Sequence, residues 1–410
     1  MARGKTLRVG AVAFTIVAFA GACGSSSSGG GTPSGGGTSA SSLTGSPINI
    51  GDVGTYSGFS SEASDQGLAA MKAWVDDTNA HGGINGHPVK LYSKDDAGSA
   101  TKSLAAVKEL VQQDHVVAIV GQHESGLEAS WQKYIDNAKI PVIGGIASSA
   151  AWLTDPNFYP TNLNPVNTLT MSVYATVLAQ EKSFGVVYCA EVPGCAQAAT
   201  LTAGAAKSLH ITYAGGLSIS ATSSSYAAQC LQLKNKGAAS VFTATSIDVS
   251  ERLIANCKSQ GFSPTWIDDT ENWGTSHTVN PVWNGAWIYA DGVGWMSQKP
   301  AMVEFRSAMA KYEPKADINT ATASTTWGAG ELFKAAAAGI GASATPTAAA
   351  ITAGLYTLGA NFTAGGTIPP VTFTKGAPAK QQPCASYFKV VDKQLTTPQG
   401  TEMVCLPGSG

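Results

Sequence analysis

VVAIVGQHESGLEASWQKYIDNAKIPVI, residues 116–143, decides the fold. Val116 to Val120 is a continuous, mostly β-branched run, the pattern of a strand buried on both faces. A helix from about Ser125 to Asn137 follows, and Ile140 to Ile143 reads as the next strand. The same alternation continues in both directions. Upstream lie strand Ile48–Val53, a helical face at Leu68, Met71 and Val75, strand Val89–Tyr92, and a second face at Leu104, Val107 and Val111. The Gly-rich run 81–86 stops the first of these helices.

A loop from Asn157 to Pro165 interrupts the pattern, which then restarts. Helices are expected at 168–180, 196–209, 226–236 and 249–260, with strands at 184–188, 211–213, 240–243 and 265–267. A strand at 287–290, helices at 299–312 and 323–340, and a hairpin around 387–391 complete the reading. Two runs of β-α units predict an α/β protein with two doubly wound parallel-sheet lobes.

Hydrophobic residues make up 44% of the 410 and charged residues 13%, which argues against a mostly disordered chain. There are 25 Lys and Arg against 27 Asp and Glu; without Arg3, Lys5 and Arg8 the balance is 22 against 27. That charge offers no footprint for nucleic acid.

Residues 1–22 read as a lipoprotein signal peptide. Arg3, Lys5 and Arg8 precede the apolar run Val9–Ala22, which is short for a membrane span. Ala20-Gly21-Ala22-Cys23 resembles a bacterial lipobox, with Cys23 as the lipidation site; plain secretion is the alternative. Residues 23–46 read as a tether, since Gly24 to Ser46 holds 8 Gly and 9 Ser. The expected location is outside the cytoplasm, anchored to the outer face of the cell membrane. The other six cysteines suit an oxidising compartment. Pairing between neighbours gives Cys189–Cys195, Cys230–Cys257 and Cys384–Cys405 among 15 possible arrangements.

Ligands of open α/β sheets bind beyond the carboxyl ends of the strands. That rule selects four loops: Tyr56 to Phe59, Gln122 to Ser125, Ile146 to Ser149, and Asp268 to Glu271. His123 and Glu124 stand in the second loop. Glu124 with Asp269 or Glu271 has the charge to hold an amine, and Trp273 and Trp327 are candidates for an apolar wall.

Gly54-Thr55-Tyr56-Ser57-Gly58, Asn79 to Gly86, Asp95-Asp96, Val120-Gly121 and Ser125 follow in an order that resembles the leucine/isoleucine/valine-binding proteins. These are solute receptors of ABC importers with the type I periplasmic-binding fold. The resemblance implies two lobes joined by three crossovers, near 163–167, 290–293 and 365–368. Lobe 1 would comprise 47–165 and 292–366, and lobe 2 residues 166–291 and 367–410. It also implies that Ser125 and Ser148 bind a ligand carboxylate and that the Ile146 carbonyl binds its amine. A family Glu falls near Thr270, between Asp269 and Glu271. Family tyrosines fall on Ala63, on Pro193, and on Ser246 or Ile247, so the second-lobe contacts carry over poorly.

The expected partners are a small amino acid-like molecule and an ABC permease, with the protein acting as a monomer. A tethered sensor is the alternative. No G-x-S-x-G, Walker A or HExxH pattern occurs, so neither catalysis nor a metal or nucleotide cofactor is expected.

Overall fold

The computed structural model describes residues 43–57, 61–124, 126–191, 193–269 and 273–408. Five parallel strands form the first sheet: β1 (Ile48–Gly54), β2 (Val89–Asp95), β3 (Ala118–Gln122), β4 (Val142–Gly145) and β5 (Phe158–Tyr159), in the order β2-β1-β3-β4-β5. β1 shows why the sheet is central to its lobe. Ile48 and Ile50 pack with Trp74 on one face, while Val53 packs with Leu110 and Ile119 on the other. Helices Ser61–Ala80 and Ala321–Ala337 cover the Trp74 face, and helix Ala100–Gln112 covers the Leu110 face.

The second sheet contains β6 (Ser183–Cys189), β7 (Thr212–Ile219), β8 (Ser240–Ala244), β9 (Thr265–Asp269) and β10 (Trp287–Ala290). A small hairpin of β11 (Val371–Thr372) and β12 (Lys380–Gln381) comes next, then β13 (Cys384–Val391), β14 (Gln394–Thr396) and β15 (Val404–Cys405). The sheet order is β14-β13-β10-β9-β8-β6-β7, with β15 on β13. β13 runs antiparallel to β10 and β14 antiparallel to β13, so this sheet is mixed rather than wholly parallel as expected. The last pairing is set locally: Asp392 and Lys393 both take positive φ, 50° and 65°, which makes a two-residue hairpin between Val391 and Gln394.

Three segments pass between the lobes and are bound to one another. The Leu163 N–H donates to the Asp291 carbonyl at 2.7 Å. Gln381 Nε2 donates to the Asn162 carbonyl at 2.6 Å, and Gln381 Oε1 accepts from the Asn164 N–H at 3.0 Å. Residues 367–373 stay with the first sheet, where Phe373 packs edge-on against Tyr159. Ile368 packs beside Gly328 of helix Ala321–Ala337 and Val371 bonds to Phe362, so the chain is still beside the first sheet past the expected 365–368.

Two other boundaries differ from expectation. The helix expected at 125–137 splits into a 3-10 turn, Leu127–Ser130, and helix Gln132–Ala138, because Trp131 between them leaves the helical region at φ −122°, ψ −4°. β9 continues through Asp268 and Asp269, which are strand residues rather than loop residues. The buried Asp268 is accommodated there by the Thr243 hydroxyl and by the Asp269 N–H, which donates at 2.9 Å. The structure joins Cys189 to Cys195, Cys230 to Cys257 and Cys384 to Cys405.

Candidate functional site

The strand orders reverse between β1 and β3 in one sheet and between β6 and β8 in the other. Such switch points open crevices at the strands' carboxyl ends. At the first, the chain leaves β1 as Thr55-Tyr56-Ser57 and leaves β3 as His123-Glu124. Asp95 fixes the first of these loops by accepting the Tyr56 and Ser57 N–H groups at 3.0 and 3.2 Å.

His123 is the centre of the first wall and is only 1% exposed. Its Nε2 lies 2.8 Å from Thr326 Oγ1. The Thr326 hydroxyl donates to the Thr322 carbonyl at 2.7 Å, so its oxygen accepts the His123 Nε2–H. Nδ1 then faces the Tyr56 hydroxyl at 3.1 Å and Asp52 Oδ1 at 3.4 Å. Burial, and then the Asp52 charge, push the Tyr56 phenol well above its ordinary range, which keeps its proton in place for this contact. Gly67 makes room for the ring: a Cβ there would sit 1.9 Å from His123 Nε2.

Beside the imidazole lies a cavity of about 20 Å³, lined by His123, Gly145, Ile146, Asn162, Asp291, Thr322, Thr325 and Thr326 among others. That is room for about one water. The lining joins the first sheet, helix Ala321–Ala337 and two crossovers. Asp291 is pushed up to about 7, mainly by its enclosure and then by the Asp269 charge. Burial, and then the Asp269 charge, likewise raise the phenol of Tyr289. The second sheet thus contributes its charge at this same point.

The residues selected from sequence divide into groups. His123 and Ile146 line the cavity, Tyr56 contacts His123 through Nδ1, and the Asp269 charge raises Asp291 from β9. Glu124 does not face the cleft. It is fully buried, accepts from Trp131 Nε1 at 2.8 Å and from the Ser103 hydroxyl, and so points into the first lobe. Burial, together with the Asp96 carboxylate beside it, raises Glu124 to about 9. An uncharged acid packed under the sheet is no amine clamp, and that expectation is corrected. Ser148 and Ser246 are exposed, on the loop after β4 and before helix Ile247–Ser259. Ser125, Glu271 and Cys23 lie outside the described residues, as do the signal peptide and most of the tether.

Trp273 and Trp327 are core residues rather than cleft walls. Trp273 packs edge-on against Trp283 and donates to Thr278 Oγ1 at 3.0 Å, while Trp327 packs against Phe305.

Sequence reading missed Asn162, Asp291 and the hydroxyls of 322–326, and placed Gln122 in a selected loop without giving it a role. Gln122 Nε2 donates to the Ile146 carbonyl at 2.9 Å and to Glu128 Oε1 at 3.2 Å, and so aims the loop after β4. The one signal available was the run Thr320-Ala-Thr-Ala-Ser-Thr-Thr326, rich in hydroxyls and free of charge within an otherwise helical pattern.

Comparison with known proteins agrees with this architecture. The description "periplasmic binding protein" covers the family that matches residues 47–393. The amino acid binding protein of Pseudomonas aeruginosa is 33% identical over 96 residues, 23% of this chain; the chain spans about a quarter, 26%, of that relative's length. The extracellular ligand-binding receptor of Verminephrobacter eiseniae superposes with a TM-score of 0.72 at 18% identity, covering 85% of this chain and 99% of the other. A fatty acid ABC transporter substrate-binding protein from Thermomonospora curvata gives 0.68 at 16% identity, covering 88% and 91%. The solved structures share the fold, and the family match is to binding proteins. The chain belongs to the periplasmic binding protein family.

Proposed function

We propose that this protein captures a small amino acid or related carboxylate between its two lobes and delivers it to an ABC permease. The observation that carries the reading is the polar cavity at the meeting point of the two sheets' carboxyl ends and the crossovers. Hydroxyl, imidazole and carboxylate groups line it. The amino acid binding relative supports the same ligand class. Ser125 and Ser148 are proposed to reach the ligand's acid group, helped by the Ile146 loop that Gln122 holds. Guest contacts on both lobes exist only in the closed form, so binding shifts the population towards it.

In this reading the lobes are divided near 165, 291 and 381. The protein works as a monomer outside the cytoplasm, held at the membrane by lipid on Cys23. No helix among the described residues is long and apolar enough to cross a membrane.

A thermal-shift panel of amino acids, amines and small acids tests the proposal. A true ligand at 100 times its Kd adds about 2.7 kcal/mol of stability. Ser125→Ala and Ser148→Ala should each weaken the hit; unchanged affinity in both variants would remove the carboxylate assignment.

A further inference from the structure

We infer that the guest carries a positively charged nitrogen, seated on Asp291 at the second crossover and on the Asn162 amide oxygen at the first; this rests on the capture reading above.

Both residues line the cavity. Asn162 is 5% exposed, and its Oδ1 is a buried acceptor without a hydrogen-bond partner. Such an atom is costly to leave unmet. Its other ends are committed: Nδ2 donates to Asp291 Oδ2 at 3.3 Å, and its carbonyl accepts from Gln381. The Asp291 carboxylate thus has only this long side-chain donor beside its own backbone N–H. Among the described residues, no Lys or Arg lines this cavity.

The groups facing Asp291 are acidic or neutral. Asp269, on β9, is the charge that acts on Asp291; Asp291 acts in turn on Tyr289 near the end of its own strand β10, where Asp268 and Tyr387 also act on that phenol. Across the cavity stand His123 and the hydroxyls of Thr322 and Thr325. The Thr325 hydroxyl donates to the Ala321 carbonyl at 2.9 Å, which leaves its oxygen free to accept. Asp291, Asn162 Oδ1 and Thr325 Oγ1 match the three N–H bonds of a primary ammonium.

The seat also ties ligand charge to lobe geometry. Asp291 accepts from the Leu163 N–H through its own carbonyl, and Asn162 is held by Gln381, so all three crossovers meet at these two residues. An ammonium bound there contacts the strap itself.

Calorimetric titration of the full-length protein tests this with three probe classes: a zwitterion (L-leucine), an alkylamine without an acid (isoamylamine), and acids without nitrogen (isovalerate, benzoate). Nitrogen-bearing probes should bind at least tenfold more tightly than the acids, and Asp291→Asn should cost them tenfold or more. An ammonium favours ionised Asp291, whose proton is held to about pH 7. Wild-type affinity for isoamylamine, charged throughout this range, should therefore rise about tenfold from pH 6 to pH 8. This arm needs no variant. The slope should vanish in Asp291→Asn. Acids binding as tightly as amines, or a slope unchanged in Asp291→Asn, would overturn the inference while leaving the capture reading intact. Absence of binding by every probe would overturn both.

Discussion

His123 Nε2 and Thr326 Oγ1 lie 2.8 Å apart although 203 residues separate them in sequence. The contact ties the end of β3 to helix Ala321–Ala337 and sets the tautomer that the imidazole presents to Tyr56. Thr326→Val keeps the shape and removes the acceptor. It should destabilise the fold by about 1–3 kcal/mol through an unpaired buried N–H, and Thr326→Ser should restore most of that. Chemical denaturation of the two variants measures the difference; equal stability of the Val and Ser variants would contradict the role.

Gly67→Ala offers a sharper contrast. In a helix interior this change normally stabilises by about 0.5–1 kcal/mol. Here the new Cβ would lie 1.9 Å from His123 Nε2, so the ring must leave its pocket. We expect a lower unfolding temperature and weaker ligand binding. A gain in stability with binding unchanged would show that His123 is not fixed by this packing.

Much of this architecture was legible in the chain, and the reason is periodicity. β1, β3 and the helices between them carry apolar patterns strong enough to read alone, and the Gly-rich run at 81–86 marks a helix stop. The site was legible only in half. His123 and Tyr56 follow directly on strand ends, so the switch-point rule finds them. Asn162 and Asp291 do not announce themselves: a lone Asn and a lone Asp, 129 positions apart, become a pair only through the crossovers. Glu124 misled for a related reason. The sequence cannot tell a loop carboxylate facing solvent from one turned inward to Trp131 and Ser103.

Glu124 gives the fold a pH dependence of defined sign. Its carboxyl is raised from an ordinary 4.5 to about 9 by burial, then by Asp96. A group raised on folding contributes its full stability below the unfolded pKa and loses it as pH climbs through the folded one. Stability should therefore fall between about pH 5 and pH 9. Glu124→Gln should flatten that decline, as measured by urea midpoints across the range; an identical decline in the variant would assign it to other groups.

Gln381 is the clasp of the crossovers, with both ends of its amide bound to the first passage. Gln381→Ala should loosen the lobes relative to each other. Small-angle scattering of the unliganded variant should show a larger radius of gyration than wild type, with ligand affinity reduced. An unchanged radius and affinity would mean that the remaining strap, Leu163 to Asp291, suffices.

The central claim is that one guest touches both walls at once. Its most direct measurement is the affinity of the best hit from the ligand panel in His123→Asn, on the first wall, and Asp269→Asn, on the second. The account predicts that each substitution weakens binding at least tenfold while the protein remains folded. Full affinity in either variant would contradict it, because the guest would then be held by one lobe alone.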